Sequence, residues 1–141
     1  MKNGFSIFPL MGNHEYFIIR DIEFCEIRKG KNQLKNLIES KDLLNLNGAI
    51  ENKYLDFIYS LPYYYELDDF LLVHAGLDFT EAFPLNDTSS MIYARDFEVE
   101  KEKINNKTLI HGHTPISLDE IKRQISLYEV NGEINLSLIH I

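Results

Sequence analysis

Three short apolar runs in this chain each end in a polar turn that carries histidine beside glycine, and this repeated pattern constrains the fold more than any other feature. The run 5–10 leads into Met11-Gly12-Asn13-His14-Glu15, the run 70–73 into His74-Ala75-Gly76, and the run 108–110 into His111-Gly112-His113-Thr114-Pro115. Short apolar runs bounded by glycine and polar residues read as strands. In α/β sheets, ligands bind beyond the carboxyl ends of the strands, where loops converge. Glycine at such ends allows close backbone approach and positive φ. Asn13, His14, His74 and His113 are therefore expected to converge despite their separation in sequence.

The intervening segments predict helices. Gly12-Asn13-His14-Glu15 opens a helical stretch through about Arg28, and Leu34, Leu37 and Ile38 recur at helical spacing after Lys29-Gly30-Lys31. Tyr54, Leu55, Phe57, Ile58 and Leu61 predict another helix, stopped by Pro62. Tyr63-Tyr64-Tyr65 and the run 70–73 predict two strands joined by the acidic turn 66–69, and a short helix is expected near 89–93. Residues 125–130 and those from Ile134 onward predict a hairpin about Asn131-Gly132. No repeat, low-complexity segment or linker divides the 141 residues, so one domain is expected.

Fourteen basic against twenty-two acidic residues leave a net charge of −8. Phosphate backbones are held by Lys and Arg, so nucleic acid or an anionic membrane is not the expected main partner. No apolar run approaches the roughly 18 residues of a membrane helix, and the first residues lack a signal-peptide pattern, so a cytoplasmic protein is expected. A single cysteine, Cys25, cannot form an internal disulfide, and its acidic neighbours disfavour a thiolate; a packing role is expected.

Imidazole nitrogen and amide oxygen together suit divalent transition metals such as manganese, iron and zinc. A histidine beside such a site, as His14 is, can donate a proton near neutral pH. Taken singly, each residue has a plainer reading. A strand-end histidine is more often a hydrogen-bonded structural residue, and Asn-His after Gly is also a turn and helix cap.

Together, Gly12-Asn13-His14-Glu15, His74-Ala75-Gly76-Leu77, Tyr93-Ala94-Arg95-Asp96-Phe97 and Gly112-His113-Thr114-Pro115 resemble, in order, the motifs of the calcineurin-like metallophosphoesterases. More narrowly they resemble the bacterial phosphoprotein (serine/threonine) phosphatases, with Tyr93 at that family's Trp position. The resemblance spans roughly residues 5 to 134. It implies an α/β sandwich of two mixed β-sheets flanked by helices. It also implies that Asn13, His74 and His113 ligate the second of two divalent ions (manganese, iron or zinc), with Asn13 beside the substrate. His14 is then the acid that protonates the leaving alkoxide, and Arg95 grips the substrate phosphate through paired guanidinium donors. Glu15 would support the turn. The implied reaction is hydrolysis of a phosphate ester, in a phosphorylated protein or a small molecule, by a metal-bridging hydroxide.

The family's Asp-x-His-Gly and Gly-Asp-x-x-Asp-Arg-Gly motifs, which supply the first metal's ligands and the bridging aspartate, would fall before Gly12. Only eleven residues precede it. The chain is therefore expected to be the C-terminal part of a single metallophosphoesterase domain over residues 1–135, lacking the first strand and helix, and to be inactive alone. Residues 136–141 resemble translated sequencing adaptor and are expected to be a non-native tail. Two other functions fit the same residues. One is a hydrolase of dinucleoside polyphosphates or other small phosphoanhydrides; the other is a non-enzymatic binding module. His111 is expected to be structural, because only the histidine after Gly112 matches the motif. Tyr63 to Tyr65 read as strand packing, and Glu98 to Lys103 as a solvated charged face.

Overall fold

The computed structural model describes residues 7–27, 43–131 and 136–137. They form an α/β structure with helices α1 (Asn13–Ile27), α2 (Asn52–Ser60), α3 (Thr88–Tyr93) and α4 (Leu118–Asn131). The strands are β1 (Tyr64–Glu66), β2 (Phe70–Val73), β3 (Thr108–His111) and β4 (Leu136–Ser137). The chain divides into two compact units: Asn13–Leu61, and Met1–Gly12 with Pro62–Ile141.

In the unit Asn13–Leu61, α1 begins at Asn13 with Glu15 in its first turn, where a carboxylate meets the positive end of the helix dipole. Cys25, Ile50, Ile58 and Leu61 are buried. Burial, aided by the Asp21 carboxylate, pushes the Cys25 thiol up, as expected of a packing residue. α2 ends where predicted: Leu61, just before Pro62, is extended at φ −67° and ψ 124°. Leu44 and Ile50 pair antiparallel around a turn in which the Asn45 side-chain oxygen accepts from the amides of Asn47 and Ala49. Gly48 occupies φ 73° there.

The second unit is built on one sheet of order β1-β2-β3-β4. β1 and β2 pair antiparallel across the predicted acidic turn, and β2 and β3 pair parallel with Phe70, Leu71 and Leu72 opposite Thr108, Leu109 and Ile110. Leu71 and Val73 of β2 and Leu109 of β3 point into a core with Leu77, Phe79, Met91 and Ile104. Period-two alternation explains this: Leu71 and Val73 are buried, whereas Phe70 is exposed. The turn 66–69 is held by Lys107, whose ammonium donates to the carbonyls of Leu67 and Asp68 and pairs with Glu66 at 3.5 Å.

α3 starts at a strong cap, the Asp87 carboxylate accepting from the amides of Ser89 (2.9 Å) and Ser90 (3.3 Å). Its Met91 carbonyl accepts from the amide of Ala75 at 2.7 Å, tying the helix to the end of β2.

Two expectations are corrected. The described part of the predicted first strand, residues 7–10, is not in a strand. Pro9 has no N–H to give a ladder. The segment is fastened otherwise: the Phe8 ring lies edge-on to Tyr65 with centroids 5.3 Å apart, and the Met11 amide donates to the Pro62 carbonyl at 2.8 Å. The predicted hairpin is also absent, because residues 125–130 lie within α4. Ser117 caps that helix by accepting from the Glu120 amide at 3.1 Å, Asp119 and Glu120 complement its first turn, and Arg123 reaches back to Glu120. Asn131 is its last residue, and Asn-Gly suits a helix end as well as a hairpin. β4 then pairs parallel with β3 rather than antiparallel within a hairpin. The helix expected around Leu34 to Ile38 lies outside the described residues.

Candidate functional site

Parallel pairing of β2 and β3 sets their carboxyl ends side by side, which is where both histidine motifs begin. Two residues beyond the last named pair, Leu72 and Ile110, the Gly112 amide donates to the His74 carbonyl at 2.8 Å. His113 then sits in a tight turn in which the Thr114 amide donates to the Gly112 carbonyl at 2.8 Å, with φ of 68° at His113 itself. A positive φ is uncommon for a residue with a β-carbon, and an i to i+2 hydrogen bond around it is the signature of a strained γ-turn.

That turn aims the His113 ring at His74. Nε2 of His74 lies 3.0 Å from Nδ1 of His113, and the ring centroids are 4.9 Å apart at 66°. Both residues are half-buried. Two predicted metal-directed residues, 39 positions apart, thus present nitrogen to nitrogen. The separation has two chemical meanings. With one proton shared it is an N–H···N hydrogen bond. It also matches two nitrogens bound at right angles to one ion at about 2.1 Å each, which places them about 3.0 Å apart; a tetrahedral angle would place them about 3.4 Å apart. Among the described residues no group of three or more His, Cys, Asp or Glu side chains could enclose an ion, so these two donors do not by themselves make a complete site.

Arg95 belongs to the same unit. It follows α3, whose last turn is closed by the Ala94 amide donating to the Ser90 carbonyl at 2.9 Å, and its side chain is exposed. Among the described residues it makes no ion pair. Asn13 and His14 open α1 in the unit Asn13–Leu61. Asn13 is half-buried there, whereas His14 is exposed, its ring edge-on to Phe17 at 6.4 Å.

His111 closes β3 with its ring edge-on to Phe97 at 5.1 Å, and its Nδ1 is buried without a hydrogen-bond partner. Burial holds it below the usual histidine range, only partly offset by the backbone at Gly112 and Ala75.

Two features went unread in the sequence. A β-carbon on Gly76 would lie 2.1 Å from Cε1 of Phe97, so the aromatic two residues beyond Arg95 occupies the space that glycine leaves open two residues beyond His74. The only sequence signal was the coexistence of the two motifs. The second feature is an open cleft of about 480 Å³ whose lining includes Asp78, Asp96, Glu98 and Glu100. The alternation Asp96-Phe97-Glu98-Val99-Glu100 could have revealed it, since Phe97 and Val99 pack on the core. Four carboxylates repel a phosphate, and His74, Arg95 and His113 are not among its lining residues, so this cleft is not where a phosphate ester is expected. Lys103, read as part of a solvated face, donates to the Phe79 carbonyl and pairs with Glu100 at 3.1 Å. No protein-family model, curated protein or solved structure matches this chain.

Proposed function

We propose that this chain carries part of the active site of a metal-dependent phosphatase of the calcineurin-like kind, with His74 and His113 as two ligands of a divalent transition metal. The observation that carries the reading is the 3.0 Å approach of His74 Nε2 to His113 Nδ1, made through a strained turn at His113. Strain of this sort persists where surrounding structure enforces it and clusters at functional sites.

In this reading the metal, when bound, supplies charge neutralisation and an activated water for attack on phosphorus. The chain's own residues do the rest. His74 and His113 must be neutral at the facing nitrogens to bind, so protons compete with the ion. Asn13 opens α1 in the other unit, and an amide-oxygen ligand is the role that the resemblance implies for it. Arg95, exposed and without an ion-pair partner among the described residues, holds the phosphate by paired N–H donors. His14, exposed at the start of α1, is the proton donor that the resemblance implies. Substrates are phosphate esters of proteins or small molecules.

Among the described residues no group of three or more His, Cys, Asp or Glu side chains surrounds an ion site, so no bridging step is assigned. Titration with manganese, cobalt or zinc tests the reading. One ion per chain is expected, bound by wild type and by Arg123→Ala, a change on the exposed side of α4, but lost in His74→Ala and in His113→Ala. Hydrolysis of p-nitrophenyl phosphate by the 141-residue chain with added manganese is expected to be absent. Turnover abolished by His74→Ala would overturn the claim that this half-site is incomplete, and equal metal uptake by all four proteins would remove the metal reading.

A further inference from the structure

We infer that Phe97 is a positioning residue that locks the His74 and His113 loops into register, an inference resting on the metal-site reading above. Three segments meet at its ring, and each carries a candidate functional residue two positions away. On the first, Gly76 leaves the space that Phe97 fills: an added β-carbon would stand 2.1 Å from Cε1 and 2.7 Å from Cζ. Gly76 follows His74 by two. On the second, the His111 ring meets Phe97 edge-on with centroids 5.1 Å apart, and His111 precedes His113 by two. The third is Phe97's own segment, with Arg95 two residues before it.

Packing against neighbouring side chains holds the ring in this position. It packs on Phe79, centroids 6.2 Å apart, and against the core that includes Leu77 and Met91. The backbone holding the segment is short: Arg95 follows the end of α3, and α3 accepts the Ala75 amide through Met91. Aromatic side chains have few rotamers and large contact area, so one placed between two loops fixes their separation better than an aliphatic chain. The His74–His113 distance is set by those two loops. Phe97 thus acts on the nitrogen pair through Gly76 and His111.

The test compares the full chain with Phe97→Leu and Val99→Ala, the second being a core-packing residue on the same segment. Cobalt(II) alone is the probe, read by its visible absorption, and the ring nitrogens of His74 and His113 are followed by NMR in metal-free protein. Phe97→Leu is expected to retain a cooperative unfolding transition and to bind cobalt about tenfold or more weakly, the usual cost of losing a residue that orients a ligand. Val99→Ala is expected to lose stability but keep wild-type affinity. Wild-type affinity in Phe97→Leu, or an equal loss in Val99→Ala, overturns the inference. If wild type takes up no cobalt, the metal reading fails by itself, and the ring-nitrogen spectra decide the positioning role. Loss of the His74–His113 hydrogen bond in Phe97→Leu alone supports it; retention overturns it. If Phe97→Leu does not fold, Phe97→Met is measured in its place against the same outcomes.

Discussion

The amide of Gly112 donates to the carbonyl of His74 at 2.8 Å, joining the residues that directly follow the parallel strands β2 and β3. This single bond turns two distant motifs into neighbours, because the residue after Gly112 is then within reach of the His74 ring. The 3.0 Å contact between the two rings follows from the register. The turn at His113, with φ of 68°, completes it.

His113 pays for its orientation with backbone strain, which predicts an unusual order of stabilities. A left-handed conformation costs a residue with a β-carbon about 1–2 kcal/mol, and glycine escapes that cost while losing about 0.4–1 kcal/mol through its freer unfolded chain. His113→Gly should therefore be at least as stable as His113→Ala, by up to about 1.6 kcal/mol. Urea midpoints of the two variants check this; His113→Ala clearly the more stable would show that the turn relaxes when the imidazole is gone.

Gly76→Ala should destabilise by about 1–3 kcal/mol or more, the range for overpacking, because its β-carbon meets a ring that is itself packed on the core. Trimming that ring should relieve the clash. Gly76→Ala combined with Phe97→Leu is expected to cost less than the sum of the two single changes, with a coupling of about 0.5–3 kcal/mol. Thermal or urea unfolding of the four proteins measures it, and simple additivity would mean the two residues are not in contact.

Lys107 holds the acidic turn by donating to the Leu67 and Asp68 carbonyls, its side chain only 15% exposed. Hydrogen bonds from a charged donor are worth about 1.5–3 kcal/mol when little exposed and less near solvent. Lys107→Met keeps the aliphatic stem and should cost about 1–2 kcal/mol, with amide exchange accelerating first in residues 66–69. Unchanged exchange there would assign the turn's stability to the strands alone.

Asp78 accepts from the Thr80 hydroxyl at 2.6 Å and the Thr80 amide at 2.8 Å, and these bonds hold its carboxyl below the ordinary value of 3.8, with Lys103 assisting. A folded-state value lowered in this way gives stability that is complete above the unfolded value and is lost as pH falls through the folded one. The stability gap between wild type and Asp78→Asn should thus be constant from pH 7 to about 5 and shrink below about 4. Denaturant midpoints across that range test the sign, and a gap that widens on acidification would contradict it.

Local pattern was enough to locate α1, α2, α3 and the pairing of β1 with β2, since each depends on spacing, a proline stop or a turn between neighbours. It also named His74 and His113 as partners, because glycine-flanked histidines at the ends of apolar runs carry their own signature. It misread residues 125–130. Their apolar and polar alternation suits a strand, yet Ser117 and Glu120, several residues upstream, had already committed the segment to a helix. The first apolar run failed as a strand for want of a donor at Pro9. What sequence could not determine was distance: which loop touches which, and at what separation. That depended on the parallel register of β2 and β3, and on Phe97 filling the space at Gly76, both contacts between residues too far apart for any local periodicity to encode.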